Sequence, residues 1–373
     1  MSINSTRDLE AMLHCQIATA SDLALLRNTV SRPKESVAEY DRLTRPYDTP
    51  LGAKLKAEFG DMGSLSKIFS FAKEATAQLG EWCADELWRF ALAEEESRKV
   101  ERAMERTFMR NQETLPIGLL DKELVRLRKA KDIVQQWTFG PPALKGNDLS
   151  PKVLLLLGYL ALTFEKPTDT KCIIFVKRRY TARLLQNLLK HLGTEHLRSG
   201  ILIGSGYGAV GDVKISFRQQ VLTLLKFRKG EVNCLIATSI AEEGLDIPDC
   251  NLILRFDLYD TVIQYIQSRG RARHTNSKYL HFAEKGNAMH RQVIEDVRKT
   301  EQVMRQFCEA LPADRLLQGN ESNLETRLAG EKAQRKYIVP GTGATLTYSS
   351  SLVVLAHFVA CLVSLHENWE KLN

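Results

Sequence analysis

Two short stretches of this chain carry residue types, at spacings, that could handle a phosphorylated ligand. The first is Cys234-Leu-Ile-Ala-Thr-Ser-Ile-Ala-Glu-Glu-Gly-Leu-Asp-Ile-Pro248, an apolar strand that ends at Thr238 and runs into a Gly-x-Asp turn. The second is Tyr265-Ile-Gln-Ser-Arg-Gly-Arg-Ala-Arg273, an arginine cluster built around Gly270. A strand ending in Thr238 should present a hydroxyl and backbone amides to a phosphate of a bound nucleic-acid strand. Gly244 lets the backbone approach a ligand closely, and Asp246 offers a carboxylate to ribose hydroxyls. Gln267, Arg271 and Arg273 form the opposing group. Arginine brings a fixed charge and a planar donor fork matched to phosphate oxygens. Reaching a nucleotide from across a cleft, it stabilises charge on a phosphoryl group in transfer. Plainer readings exist: Asp246 as a cap at a strand–turn–helix corner, the arginines as an exposed basic turn. The order and spacing of the two stretches favour a nucleotide grip.

A third basic run, Lys177-Arg178-Arg179, follows the apolar stretch Cys172-Ile-Ile-Phe-Val176. Clustered cations there suit phosphate contact, each adding to salt-dependent binding. A solvated helix start fits them equally well. Gly206-Tyr-Gly-Ala-Val-Gly-Asp212 matches Gly-x-Gly-x-x-Gly after a strand, a pattern too permissive to mark a dinucleotide site by itself. No Gly-x-x-x-x-Gly-Lys-Ser/Thr loop occurs in the 373 residues. The nearest text to a metal-binding Asp-Glu-x-His box, Asp85-Glu-Leu-Trp88, sits in a helical stretch and lacks the histidine.

These residues need a sheet edge to hold them. From Ser150-Pro151, an N-cap followed by a first-turn proline, short apolar runs alternate with helical segments. Strands are expected at Cys172–Val176, Ile201–Gly204, Asn233–Ala237, Leu252–Arg255 and Tyr279–Ala283, with helices at Ala182–His191, Ile215–Phe227 and Tyr259–Gln267. That alternation implies a parallel sheet covered on both faces, with functional loops at the strands' carboxyl ends. From Ser64 to Trp137 the pattern is helical and rich in i,i+4 charge pairs, so the charged run Glu94–Arg106 reads as a solvated face. Trp82, Trp88, Phe90 and Trp137 read as packing between helices. Residues 139–148 form a linker, and Arg32-Pro33 with Arg45-Pro46 marks an irregular basic crossing. Leu9–Leu26 shows loose helical periodicity, Asn287–Ala310 reads as a charged helix and Ser349–Leu365 as an apolar one.

Composition narrows the classes. The chain has 52 Lys+Arg against 45 Asp+Glu, a net charge of +7 that biases it mildly toward polyanions. Its seven cysteines form no C-x-x-C pair, which argues against a zinc site and for a reducing, intracellular compartment, cytoplasmic or nuclear. The N-terminus has no apolar signal core. The longest apolar run, Val153–Leu162, is short of the roughly 20 residues that span a bilayer, so no membrane partner is expected.

The stretches Cys172–Val176, Ala237–Asp246 and Gln267–Arg273 resemble motifs IV, V and VI in the second RecA-like domain of superfamily 2 helicases. The wording Ala-Glu-Glu-Gly-Leu-Asp-Ile-Pro, with Arg255-Phe-Asp257 after it, resembles the Dicer and innate-immune duplex-RNA branch, and the overall similarity is to fungal Dicer-like proteins. The resemblance implies an α/β fold: a RecA-like parallel-sheet domain flanked by an α-helical insertion and a C-terminal helical segment. It implies a remnant of the first motor domain and connector at 1–60, the insertion at 61–140 and the helicase C-terminal domain at 150–285. Pincer-like helices at 286–330 and a partial start of the Dicer dimerisation domain at 340–373 complete it.

The same resemblance implies roles. Thr238, Lys177, Arg178 and Gly206 would meet double-stranded RNA. Gly244, Asp246 and Gln267 would bind ATP, and Arg271 with Arg273 would reach its triphosphate. Magnesium would enter only with a complete first motor domain, supplied in trans if the chain stands alone. No ribonuclease III carboxylate cluster is present, so RNA cleavage is not expected. What the resemblance implies is thus an ATP-dependent duplex-RNA helicase half in RNA silencing and antiviral defence, not competent by itself. The alternatives are a non-catalytic RNA- or partner-binding module, a fragment of a truncated Dicer-like gene, and a related DNA-repair helicase.

Overall fold

Apolar runs that are buried on both sides decide the architecture. The computed structural model describes residues 19–20, 32–43, 48–60, 65–110, 118–204, 215–241, 247–274, 276–310, 316–317, 337–338 and 345–346. They divide into two units, one of Ser31–Val297 and one of Met1–Val30 with Arg298–Asn373.

The Ser31–Val297 unit is framed by six strands: β1 (Lys34–Tyr40), β2 (Cys172–Phe175), β3 (Ser199–Leu202), β4 (Cys234–Ala237), β5 (Leu252–Arg255) and β6 (Lys278–Glu284). They lie side by side in the order β1-β6-β5-β2-β4-β3, every pair parallel. The four residues of β2, of β4 and of β5 are all buried, as a sheet covered on both faces requires. Alternate residues feed two cores. Cys172, Ile174, Ile236 and Leu254 face one, and Ile173, Phe175, Leu235 and Ile253 face the other.

Helices cover both faces. α1 (Pro50–Phe59), α2 (Ser66–Leu79), α3 (Glu81–Ala91), α4 (Glu94–Arg110) and α5 (Leu119–Gln135) form the helical block between β1 and β2. α6 (Pro151–Thr163) and α7 (Arg179–Leu192) share the core of that block, while α8 (Phe217–Lys229), α9 (Val262–Arg269) and the start of α10 (Ala288–Glu309) bury the opposite face. The helical start at Ser150-Pro151 holds: the Ser150 hydroxyl accepts from the Val153 amide at 3.1 Å. The tryptophans pack as expected, with Trp82 and Trp88 buried and Trp88 edge-on to Phe69 at 4.8 Å. At the α2–α3 joint Gly80 has φ 108°, and a Cβ there would stand 2.3 Å from the Asp148 carbonyl oxygen. Only glycine fits that joint.

Two expectations are corrected. The crossing segment after Arg32-Pro33 is not irregular: Lys34–Tyr40 is β1, paired with β6 along its whole length. Its text, Lys-Glu-Ser-Val-Ala-Glu-Tyr, is mostly polar because an edge strand buries only part of itself, here Ala38 and Tyr40. The loose helical reading of Leu9–Leu26 fails at Thr19–Ala20, a two-residue strand parallel to Leu316–Leu317. A second small pair, Tyr337–Ile338 antiparallel to Thr345–Leu346, was not expected from the sequence. The helix expected at Ser349–Leu365 lies outside the described residues.

Candidate functional site

Because all six strands run the same way, their carboxyl ends share one edge. Chain segments leaving β2, β3, β4 and β5 there line a cleft of ≈ 730 Å³ that includes Lys177, Arg179, Gly204, Thr238, Gln264 and Gln267. Lys177, Thr238 and Gln267, nominated from three separate motifs, thus meet on one surface.

Thr238 closes β4, and its backbone amide donates to the Leu202 carbonyl at 3.1 Å. That amide is committed to the sheet, which corrects the expectation of a free one; the side chain is what Thr238 brings to the cleft. The Lys177 amide donates to Asp257 Oδ2 at 2.8 Å, and its Nζ pairs with Asp260 Oδ1 at 2.8 Å, both side chains more than half exposed. Arg178 leaves the cleft and reaches the helical block, Nε to Glu74 Oε1 at 3.4 Å. Arg179, its neighbour, stays: its Nη2 would lie 3.7 Å from a Cβ at Gly204. Alternation of direction along the chain separates these adjacent cations, which composition alone could not do.

The arginine motif divides too. α9 starts at Thr261, whose hydroxyl accepts from the Gln264 amide at 3.2 Å, and Gln264 and Gln267 turn to the cleft. Arg269 turns the opposite way, its Nη1 3.2 Å from Glu35 Oε1 on β1. Arg271 and Arg273 follow the helix and are not among the cleft's lining residues. Arg271 holds the turn by its backbone, donating to Ser268 O at 3.2 Å and accepting from the Cys250 amide at 2.9 Å. Arg273 is exposed, with Nε donating to Gly270 O at 2.8 Å. Gly244, Asp246 and Gly206 lie outside the described residues.

Two charged clusters escaped the sequence reading. Lys152, in the first turn of α6, is buried with Nζ 2.8 Å from Asp257 Oδ1 and 2.6 Å from Gln78 Oε1, over the Phe256 ring at 4.1 Å. Burial acts to raise the Asp257 carboxyl, but Lys152, the Lys177 amide and Arg255 outweigh it and hold it below its ordinary value. The second cluster centres on Glu35, which accepts from Tyr265 Oη at 2.8 and 3.1 Å, with His281 Nε2 at 3.5 Å. Burial again pulls upward, and His281, Tyr265 and Arg269 bring the carboxyl below its usual range. A lone lysine after Ser-Pro, and a glutamate in a polar strand, give no signal in sequence.

A second cavity, ≈ 760 Å³, lies where α3, α7 and α8 meet and contains Glu86, Arg89, Arg183, Lys190 and Lys226. It holds none of the residues nominated from sequence. Among the described residues no cluster of His, Cys, Asp or Glu could hold a metal ion, and no helix is long and apolar enough to cross a membrane.

Residues 152–276, which span the cleft and the arginine turn, match the helicase conserved C-terminal domain. The chain is similar to Dicer-like protein 1 of Aspergillus oryzae, 47% identical over 360 residues, 96% of this chain and 24% of that protein. Similarity to Dicer-like protein 1 of Phaeosphaeria nodorum is 46% over 365 residues, 98% of this chain and 24% of that one. The chain therefore spans about a quarter of the length of these curated relatives. It also superposes on the Hef helicase domain of Pyrococcus furiosus with a TM-score of 0.41 at 18% identity, covering 79% of this chain and 65% of that one, too loosely to carry weight. The chain thus contains a helicase conserved C-terminal domain and is similar, along nearly its whole length, to about a quarter of fungal Dicer-like protein 1.

Proposed function

We propose that this chain is the second motor half of an ATP-dependent, duplex-RNA helicase acting in RNA silencing and antiviral defence inside the cell. The observation that carries this is the meeting of Lys177, Thr238 and Gln267 in one cleft at the sheet's carboxyl edge. In this reading Lys177 and Thr238 contact RNA phosphates with Gly206, while Gly244, Asp246 and Gln267 contact ATP. Arg271 and Arg273 approach the triphosphate from across the interface with a first motor domain, and Arg178 serves RNA only by exchanging its Glu74 partner. The phosphate loop and metal carboxylate are not within these 373 residues. Nucleotide affinity, magnesium binding and turnover would then need a first motor domain from elsewhere in the same protein or from a second chain. That same fact favours a second reading, a non-catalytic module that binds duplex RNA or a partner.

RNA-stimulated ATP hydrolysis separates the two. The chain alone is expected to show none, and adding a first RecA-like domain restores it, with Arg271→Ala reducing the restored rate by about 10³-fold or more. Robust hydrolysis by the isolated chain, or none with the added domain while RNA still binds, would sink the motor-half reading.

A further inference from the structure

Resting on that motor-half reading, we propose that Glu35 is a positioning residue: delivered by β1, its carboxylate sets the rotation of α9 and hence the placement of Gln267, Arg271 and Arg273.

The argument begins with the two sides of a short helix. Tyr265 and Arg269 are one turn apart and share a face, whereas Gln264 and Gln267 share the other. The second pair lines the cleft. The first pair converges on a single carboxylate: Tyr265 Oη donates to both Glu35 oxygens, at 2.8 and 3.1 Å, and Arg269 Nη1 to Oε1 at 3.2 Å. Arg269 Nη1 also donates to Tyr265 Oη at 2.8 Å, and its guanidinium lies 4.8 Å from the centre of the Tyr265 ring. Three groups therefore close a ring of hydrogen bonds across two elements far apart in sequence. The contact of Ser268 Oγ with Tyr279 Oη at 2.8 Å, and the packing of the Tyr265 ring against those of Tyr259, Tyr279 and His281, also hold the helix to the sheet, while the Glu35 bonds are the ones that fix a direction.

For stability alone a mostly buried carboxylate is an inefficient choice, since apolar groups of similar volume serve as well. What it supplies is direction. A phenol and a guanidinium fork bonded to one carboxylate have one good geometry, and any rotation of α9 breaks it. Arg271 and Arg273 leave the helix's last turn, so a rotation would carry their guanidinium groups off target. Displacements of about 1 Å can cost on the order of a hundredfold in rate. Arg269 is thus the motif's structural arginine, and its task is to be held.

The test uses the full chain complemented with a first RecA-like domain, reading RNA-stimulated ATP hydrolysis under single-turnover and steady-state conditions. Glu35→Gln should lower kcat by about ten- to a hundredfold, a larger change than any in KM for ATP, with duplex-RNA affinity changed less than about threefold. In an Arg271→Lys/Arg273→Lys background the added loss should shrink below about twofold. An unchanged kcat, or an equal loss in both backgrounds, would overturn the proposal. Should Glu35→Gln fail to give a cooperative melt, Tyr265→Phe removes the hydroxyl and keeps the ring. Its kcat loss, coupled to the same arginines, supports the proposal, and an uncoupled loss or none rejects it. Absence of turnover in the complemented wild type rejects the motor-half reading itself, and this inference with it.

Discussion

Lys152 and Lys177 make the same bond to different ends. Each places an ammonium 2.8 Å from an aspartate that follows β5, Asp257 for one and Asp260 for the other. The Lys152 side chain is 5% exposed, that of Lys177 56%. The buried ammonium has no water to return to and is ringed by Gln78 and Phe256, so it joins the helical block to the sheet. The exposed one can trade its carboxylate for a phosphate at little cost, because surface ion pairs contribute only about 0–1 kcal/mol. Bond length thus says nothing about role here; hydration does. One lysine is structure and the other is available for binding.

That contrast can be broken, and the largest expected effect is at the buried end. Lys152→Ala should lower stability by about 3–5 kcal/mol, since it strands Asp257 without its cation, and denaturant titration reads the loss. Lys152→Met with Asp257→Asn should recover much of it. A double substitution as damaging as Lys152→Ala would show that the pair's geometry, not its charge balance, joins the block to the sheet. The linkage has a sign. Asp257 and Glu35 are held below their ordinary values, so their stabilisation is present above the unfolded carboxylate range and lost as pH falls through the folded one. Acid titration of Lys152→Met should therefore show a shallower fall below about pH 4.

Asp85 supplies the opposite case, a carboxylate with no ammonium. Its Oδ1 is buried without a hydrogen-bond partner. Burial, opposed by a Thr49 hydrogen bond and helped by Glu81, Asp148 and Glu86, raises it to about 6. The folded state then keeps a proton that the unfolded state has released, so stability falls as pH rises toward about 6 and stays reduced at neutral pH. Asp85→Asn should gain on the order of 1–2 kcal/mol at pH 7 and flatten that slope. No gain, measured by melting at pH 7 and 4.5, would mean that water reaches the carboxylate.

The smallest stability effect belongs to Lys177→Gln, below about 0.5 kcal/mol. Its signature lies in RNA binding, where the salt dependence of affinity should lose about one unit of slope. An unchanged slope would remove Lys177 from the proposed RNA contacts and erase the contrast with Lys152.

Burial on both faces made much of the sheet readable. Leu252–Arg255 was bounded to the residue, and Cys172–Val176 ran one residue past β2, because continuous apolar text admits few other readings. β1 was not readable, since half of an edge strand answers to solvent rather than to the core. Within the basic runs, identity was legible and direction was not. Arg178 and Arg179 are neighbours, yet one meets Glu74 and the other the cleft. Arg269 and Arg271 separate in the same way, because what distinguishes them is the glutamate at position 35, supplied from the far side of the helical block.

β1 also sets an order of events. Among the described strands of the sheet it is the first in sequence, and its described partner is β6, the last. A ribosome must deliver the whole helical block and four intervening strands before β1 finds its neighbour. Contacts of that separation fold slowly, so the strand spends that interval with both edges open. Its Lys34, Glu35 and Glu39 discourage a foreign strand from pairing there first, and one of those charges is the anchor that α9 later requires.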